Sequence, residues 1–415
     1  MPATPSTARA INDRLALRLL QQEGPLTATQ LKQLTGLSRP SVADLVERLG
    51  AAGLIEVVGE AGEQRRGPNA RLYGIAAHRA HLAALDVRTE SVSVLVSDLV
   101  GGVLAEASVP IRDDAGTGPA VEQAVALVEH AAKEAGADRL HTVGIGAPGL
   151  IDPASGDLRD SGGLPAWHRR LVAALQERFP ESRVSVENET NLAALAEQRD
   201  GAARDRDTFV LLWLDLGIGA ALMLDGRLRR GASGGAGEVG FLPVPGTSGL
   251  PSATDCGGGF HSLASAGAVT GLAAEHGLPV PDDPTRAAAL VREAVRRTER
   301  APDGGADAGG ADAGGADAGS PPAAARFLDA LADRVALGAA AVVSVLDPGC
   351  VVLAGEVGRA GGDVLARRVA DRLTRLSPLP TQVRASLLGG GAVLRGALLT
   401  ARDRAQEDLF APRGR

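Results

Sequence analysis

Residues 27–58 read TATQLKQLTGLSRPSVADLVERLGAAGLIEVV, and the punctuation of this stretch sets the fold of the first part of the chain. Thr27 and Gln30 form a capping box ahead of Leu31 and Leu34, and Gly36 stops the helix after barely two turns. Ser38 is a second cap, followed by Val42, Leu45, Val46 and Leu49 at i, i+3, i+4 and i+7, and Gly53 ends that helix. Upstream, Ile11, Leu15, Leu19 and Leu20 make a further helical stripe that Gly24-Pro25 halts. Downstream, Leu54 to Val58 predicts a strand, Gly59 to Pro68 a turn and Arg71 to Ile75 the returning strand. Three helices, the last two joined by a tight turn at Gly36-Leu37, and then a hairpin predict a winged helix-turn-helix over residues 1–79.

Such a domain lays the start of its second helix in the major groove of DNA, where short polar side chains reach base edges. Here that start is Ser38, Arg39, Pro40 and Ser41. Arg39 can pair a guanine edge or a phosphate, and Ser38 and Ser41 can bond phosphates beside the helix-end amides. The wing carries Arg65, Arg66, Asn69 and Arg71 around Gly67-Pro68, a cationic tip suited to the minor groove or the backbone. The expected partner is a double-stranded DNA operator; the alternative is that these arginines form a solvated face.

The chain has 415 residues, enough for two to three domains that each bury a core, which excludes a peptide hormone or a disulfide knot. Its net charge of −7 divides into +3 for residues 1–79 and −10 for the rest, so a polyanion partner is expected to meet the head. Cys256 and Cys350 have no framework spacing and no apolar leader follows Met1, so a reduced, cytoplasmic protein is expected. The longest mainly apolar stretch, Val335 to Leu346, ends at Asp347-Pro348-Gly349, so no membrane span is expected.

From His81 the pattern changes to strands alternating with helices. Strands are predicted in two runs over Leu82 to Asp98, then at His141 to Gly146, Val184 to Val186, Phe209 to Leu214, Ala220 to Leu224 and Cys350 to Leu353. Helices are predicted at Ala120 to Ala135, Trp167 to Arg178, Asn191 to Arg199, Thr285 to Glu299 and Ala323 to Leu346. Alternation of this kind makes an α/β body in two lobes. Between the last two helices ADAGG repeats, and the tract Asp303 to Gly319 has no large apolar side chain, which predicts a solvated loop.

Four stretches of the body stand in a specific order: HTVGIGAPGLID at 141–152, SVENETNLAALAE at 185–197, GIGAALMLDGRLRRGASGGAGEVG at 217–240 and LDPGCVVLAGEVGRAG at 346–361. They closely resemble the ROK family of sugar kinases and sugar-responsive regulators, over about residues 80–405. The resemblance implies an actin-like ATPase fold, and a helix-turn-helix ahead of it is similar to the regulator branch. The expected division is a head at 1–79 and a body at 80–415. In the body, a first lobe covers about 80–195 plus a C-terminal helix at about 392–409, and a second lobe covers about 196–391.

The resemblance also implies which residues to inspect. Family kinases bind phosphates with a DxGGTK loop; the matching residues here are Asp86, Val87, Arg88, Thr89, Glu90 and Ser91, with both glycines gone and a carboxylate at Glu90. Their second loop, GTGxGxG, corresponds to Asp215 through Ala221, where Gly217 and Gly219 are expected to make a hairpin. No nucleotide cofactor and no catalysis are therefore expected. At the sugar site, Asn188 and Glu189 match hydroxyl-binding positions, Glu189 standing at the kinase base, while Gly149 and Glu238 match two further contacts. The remaining polar positions have become Phe241 and Leu263, so a common hexose loses two partners. The family's structural zinc would fall on Phe241, Thr254, Cys256 and His261, and two donors spaced C-x4-H do not close a tetrahedral site, so no metal is expected. His78, His81 and His168 lack ligand spacing and are expected at the surface or in caps.

The expectation is a transcriptional regulator of carbohydrate-related genes, acting as a repressor, homodimeric or homotetrameric, whose degenerate kinase-like body senses a carbohydrate-like effector. Two alternatives stay open: an active sugar kinase with a fused head, and a regulator that has stopped binding sugar.

Overall fold

The computed structural model describes residues 5–61, 70–112, 116–159, 165–280, 283, 286–300 and 322–411. Arg65, Arg66 and Asn69 of the expected wing, and the Gly/Ala/Asp tract at 303–319, lie outside the described residues.

The head is built from α1 (Pro5–Glu23), β1 (Leu26–Thr27), α2 (Ala28–Thr35), α3 (Arg39–Ala51), β2 (Ile55–Ala61) and β3 (Ala70–Ile75). The capping box forms as its residues dictate: the Gln30 amide donates to Thr27 Oγ1 at 3.2 Å, and the Thr27 amide donates to Gln30 Oε1 at 2.9 Å. Gly36 closes α2 in the left-handed region. Leu31, Val42, Leu45 and Leu49 are buried on α2 and α3 and Ile55 on β2, but the stripe expected on α1 is displaced: Ile11 and Leu15 are exposed, as is Leu34 on α2, and α1 packs instead through Ala16, Leu17 and Leu20, the face that meets the other helices of the head. The three strands pair antiparallel in the order β1-β3-β2. Arg48 of α3 pairs with Asp13 of α1 at 2.6 Å, tying the two helices to each other.

The body repeats one topology. Its first sheet contains β4 (His81–Val87), β5 (Ser91–Asp98), β6 (Val103–Pro110), β7 (Leu140–Ala147) and β8 (Arg183–Asn188), with α4 (Thr117–Glu134) and α5 (Trp167–Arg178) as the crossovers. The strand order is β6-β5-β4-β7-β8, antiparallel across the first three and parallel from β4 to β7. After α6 (Glu189–Asp200), the second sheet contains β9 (Phe209–Leu214), β10 (Ile218–Leu224), β11 (Arg227–Arg229), β12 (Cys350–Ala354) and β13 (Gln382–Ala385). Its order, β11-β10-β9-β12-β13, repeats the first: antiparallel across three strands, then parallel. Around it lie α7 (His261–Ala264), α8 (Ala266–Glu275), α9 (Ala287–Arg300), α10 (Ala323–Leu346) and α11 (Gly355–Leu376), and α12 (Ala392–Leu409) follows. Every residue of β9 and β12 is buried, which is why both read as continuous apolar runs and not as alternating ones.

Packing groups the chain into two compact units. The first comprises residues 1–147, 165–187 and 397–415; the second comprises 148–164 and 188–396. The head groups with the first sheet. Residues 148–164 and 188–195, the latter holding the first half of α6, group with the second unit, where the sequence expectation put them in the first lobe. The reason is local: Thr190 of α6 lies against Gly219 of β10, and Gly396 packs on the Leu192 carbonyl.

Candidate functional site

At the start of α3, Ser38 has an extended backbone and its Oγ accepts the Ser41 amide at 3.3 Å, with the two hydroxyls 2.8 Å apart. These hydroxyls therefore hold the helix end first. Arg39, Pro40 and Ser41 are exposed, as is Arg71 on β3 opposite Glu60. Sequence reasoning missed Arg48, which pairs with Asp13 of α1 across the two helices and with Asp44 one turn back along α3. The signal was present only as a charge pattern, Asp44 and Arg48 at i, i+4.

In the first unit, the stretch that sequence matched to the first phosphate loop is a hairpin closed by the Arg88 amide donating to Ser91 O at 2.9 Å. Arg88 Nε turns back onto buried Asp86 at 3.1 Å, and Glu90 is exposed at the tip. A carboxylate occupies the turn where glycine amides would cradle a phosphate. His168 differs from its expected surface position. Only 2% exposed, it stands edge-on to Trp167 with ring centroids 4.2 Å apart, and neither ring nitrogen completes a hydrogen bond among the described residues. Burial holds its pKa down at about 4, against a weaker opposing pull from the Arg88 backbone.

In the second unit, Asp215 opens the stretch that sequence matched to the second phosphate loop. Its Oδ1 accepts the Leu216 amide at 2.8 Å, while its Oδ2 accepts the Glu356 amide at 3.3 Å. Glu356 is the second residue of α11, so a carboxylate of the chain itself holds a first-turn amide of the kind that binds phosphate.

The same unit gathers Gly149, Asn188, Glu189 and Glu238, the positions that sequence matched to the family's sugar site. Asn188 caps α6: its Oδ1 accepts the amides of Thr190 and Asn191, and its Nδ2 donates to Gly149 O at 3.0 Å and to Glu189 Oε2 at 2.8 Å. Gly149 has φ 108°, which a side chain would strain, and this permits the approach to Asn188. A β-carbon at Gly235 would touch both Leu150 and Glu238, at 3.6 and 3.7 Å, so the Gly149 segment and Glu238 converge on one small patch. The Glu238 carbonyl accepts the Phe241 amide at 3.2 Å, while its carboxylate accepts no hydrogen bond among the described residues. Water reaches it, yet the surrounding protein removes enough solvation to raise its pKa. Phe241, two residues past Val239, is 37% exposed, whereas Leu263 is 7% exposed and joins the hydrophobic core of the unit. Leu263 is therefore a packing residue, and of the two only Phe241 adds apolar surface.

The zinc positions do not fit a metal. Phe241 and Thr254 supply no zinc ligand, and burial raises the Cys256 thiol while lowering His261. Among the described residues no group of three or more His, Cys, Asp or Glu side chains could hold an ion. Nor is any helix among them long and apolar enough to cross a membrane.

A winged helix-turn-helix followed by two sheets of one repeated topology defines the class: a DNA-binding type of head on an actin-like body. The ROK family model matches residues 82–404, and the chain belongs to that family; a MarR family model matches residues 11–67. The chain is 28% identical over 248 residues to the DNA-binding transcriptional dual regulator NagC of Escherichia coli K12, covering 57% of this chain and 58% of that protein. It is 23% identical over 247 residues to the xylose repressor of Bacillus subtilis 168, with 57% and 61% covered. The chain thus spans about six-tenths of the length of these curated relatives. A ROK family transcriptional regulator homologous to the E. coli MLC protein superposes with a TM-score of 0.72 at 20% identity, covering 97% and 98% of the two chains. The ROK hexokinase of Thermus thermophilus superposes with a TM-score of 0.60 at 26% identity, covering 79% and 99%.

Proposed function

We propose that this chain is a DNA-binding transcriptional regulator, a repressor of carbohydrate-related genes, in which the ROK body senses an effector and has lost phosphoryl transfer. The observation that carries this reading is the Asp215 carboxylate seated on the N-terminal amide of α11, in a chain whose recognition helix is capped by Ser38. Glu90 and the Asp86–Arg88 pair support it from the other phosphate loop. The names of the regulators similar to this chain point the same way.

On this reading residues 1–79 bind a duplex operator through Arg39, Ser38, Ser41, Arg71 and the wing residues Arg65, Arg66 and Asn69. Residues 80–415 dimerise or tetramerise, and a palindromic site matches that symmetry. The protein acts in the cytoplasm, where its operator lies. The effector meets Gly149, Asn188, Glu189 and Glu238. Both Nδ2 hydrogens of Asn188 are already engaged, so the acceptors Glu189 and Glu238 are its main polar contacts and Phe241 its apolar one. A small molecule with hydroxyl donors on one edge and an apolar opposite edge fits this set. The test is to select duplexes from a random library with the full chain, and to incubate the same protein with labelled ATP, magnesium and hexoses. A selected palindrome and no sugar phosphate are expected. Sugar phosphate formation, or failure to enrich any sequence, overturns the reading.

A further inference from the structure

The loop between Phe241 and His261 carries all four positions that the family's zinc would use, and it lies wholly within the second unit. With phenylalanine and threonine at two of those positions, the donor set cannot clasp an ion, so the loop must be held by other means. Its two ends meet through backbone: the Phe260 amide donates to Leu242 O at 2.9 Å, and Gly259 lies so close to Gly240 O that a β-carbon would not fit between them. Asp255 closes the turn ahead of them, its Oδ1 accepting the Gly257 amide at 2.8 Å and its carbonyl accepting the Ser252 amide at 2.8 Å. Ser262 Oγ donates to Gly259 O at 2.7 Å. None of these closures is made by the Cys256 thiol or the His261 ring.

Closures of this kind shape the loop without attaching it to anything. The attachment is Phe260, whose ring is fully buried in the hydrophobic core of the second unit. It rests on Gly338, in the middle of α10. A β-carbon on Gly338 would stand 2.8 Å from Phe260 Cδ1 and closer still to Cε1 and Cζ, and a ring so enclosed has nowhere to go. Leu331, Val335 and Val342 continue the buried stripe of α10 before and after this glycine. Glycine is a poor residue for a helix interior, so a glycine in that stripe marks the place where the ring enters. The Phe260 amide then fixes Leu242, which follows directly on the single 3-10 turn Val239–Phe241 and the Glu238 that precedes it.

We propose that Phe260, seated in the notch at Gly338, is a metal-free clasp that does in this chain the holding a zinc ion would do, and that it places the segment carrying Glu238 and Phe241. Burial of a ring needs no deprotonated ligand and no ion, so neither zinc supply nor the state of the Cys256 thiol governs this loop.

Metal analysis after dialysis against EDTA, and thermal melts of the full chain, test the proposal. Much less than one zinc per chain and superimposable melts with and without EDTA are expected, and Cys256→Ser combined with His261→Asn should melt within about 2 °C of the unmodified protein. Gly338→Ala should lower the melting temperature by about 5 °C, because the new methyl group overpacks the ring. In a Phe260→Val background the same change should be neutral or slightly stabilising, since alanine favours the helix once the notch is empty. A local readout separates the clasp from general core packing. Cys256, half-buried in the loop, should react with a maleimide about tenfold faster in Phe260→Val, below the melting temperature and while buried Cys350 stays unreactive. Val291→Ala, a cut elsewhere in the same core, should leave that rate unchanged. About one zinc per chain that survives dialysis, a melting temperature lowered by EDTA, a Gly338→Ala loss equal in both backgrounds, or a Cys256 rate indifferent to Phe260→Val overturns the proposal.

Discussion

If Asp215 has replaced a phosphate at the start of α11, then ATP with magnesium should leave the protein's stability unchanged, and the size of the effect can be worked out. A phosphate oxygen bound to the Glu356 amide would have to sit within about 4 Å of the carboxylate that now holds it. Two unit charges at that separation repel by about 4 kcal/mol at an effective dielectric of about 20. At about 1.4 kcal/mol per tenfold, that weakens nucleotide binding by about three decades before Glu90 is considered. A ligand at about 100 times its dissociation constant stabilises a fold by about 2.7 kcal/mol, whereas one held about a thousandfold more weakly at the same concentration contributes less than about 0.1 kcal/mol. Thermal melts with and without millimolar ATP and magnesium should therefore superimpose. Asp215→Ala should cost about 1 kcal/mol, as the loss of a helix cap does, and lower the melting temperature. A clear upward shift of the unmodified protein with ATP would refute the reasoning.

Arg39→Ala should weaken binding to the selected operator by about 1 to 3 kcal/mol at unchanged melting temperature, because Arg39 is exposed and the cap at Ser38 stays intact; equal losses on operator and random DNA would reassign it to the phosphates. Calorimetry with glucose should show no micromolar binding, since a hydroxyl facing Phe241 loses water without a partner, and Phe241→His should strengthen whatever binding exists. Leu263→Glu, by contrast, would bury a carboxylate in the core of the second unit and lower stability steeply, seen as a fall in melting temperature. His168, with its folded pKa lowered to about 4 against about 6.5 unfolded, favours proton uptake by the unfolded chain, so its contribution is complete above about pH 6.5 and declines as pH falls toward 4. The full difference is about 3 kcal/mol, and His168→Phe should flatten that part of a denaturation series between about pH 4 and 6.5; an unchanged slope would show that the ring is not buried neutral.

Local features were legible in the amino-acid order alone. Thr27 with Gln30, and Ser38 ahead of Val42 and Leu45, marked the helices of the head because caps and a 3.6-residue period act within a few residues of themselves. Helix α10 was readable end to end, from Ala323 to Asp347-Pro348, for the same reason. Helix α11 was not, because glycines at 355, 358, 361 and 362 mask its period and Gly362 interrupts it with φ 50°. Strand β6 was missed too: its burial pattern is mostly exposed or intermediate, and an edge strand carries little hydrophobic signal. The motif residues Asn188, Glu189 and Gly149 could be picked from their order. Their hydrogen bonds could not, since Asn188 meets Gly149 across 39 positions and no local period encodes that approach.

Three matters were settled only by long-range packing. Asp215 reaches an amide 141 residues away; Leu263 turns into the core and leaves Phe241 as the exposed apolar side chain; His168 is enclosed beside Trp167. In each case the outcome depends on which surface the side chain packs against, and that is set by how β9, β12 and α11, or β4 and α5, come together. Caps, periods and strand runs are local, so they carried the class of fold and the order of its parts without help from distant residues. Which side chains at those positions remain available to a ligand is a property of contacts between segments far apart in the chain, and no local pattern holds it.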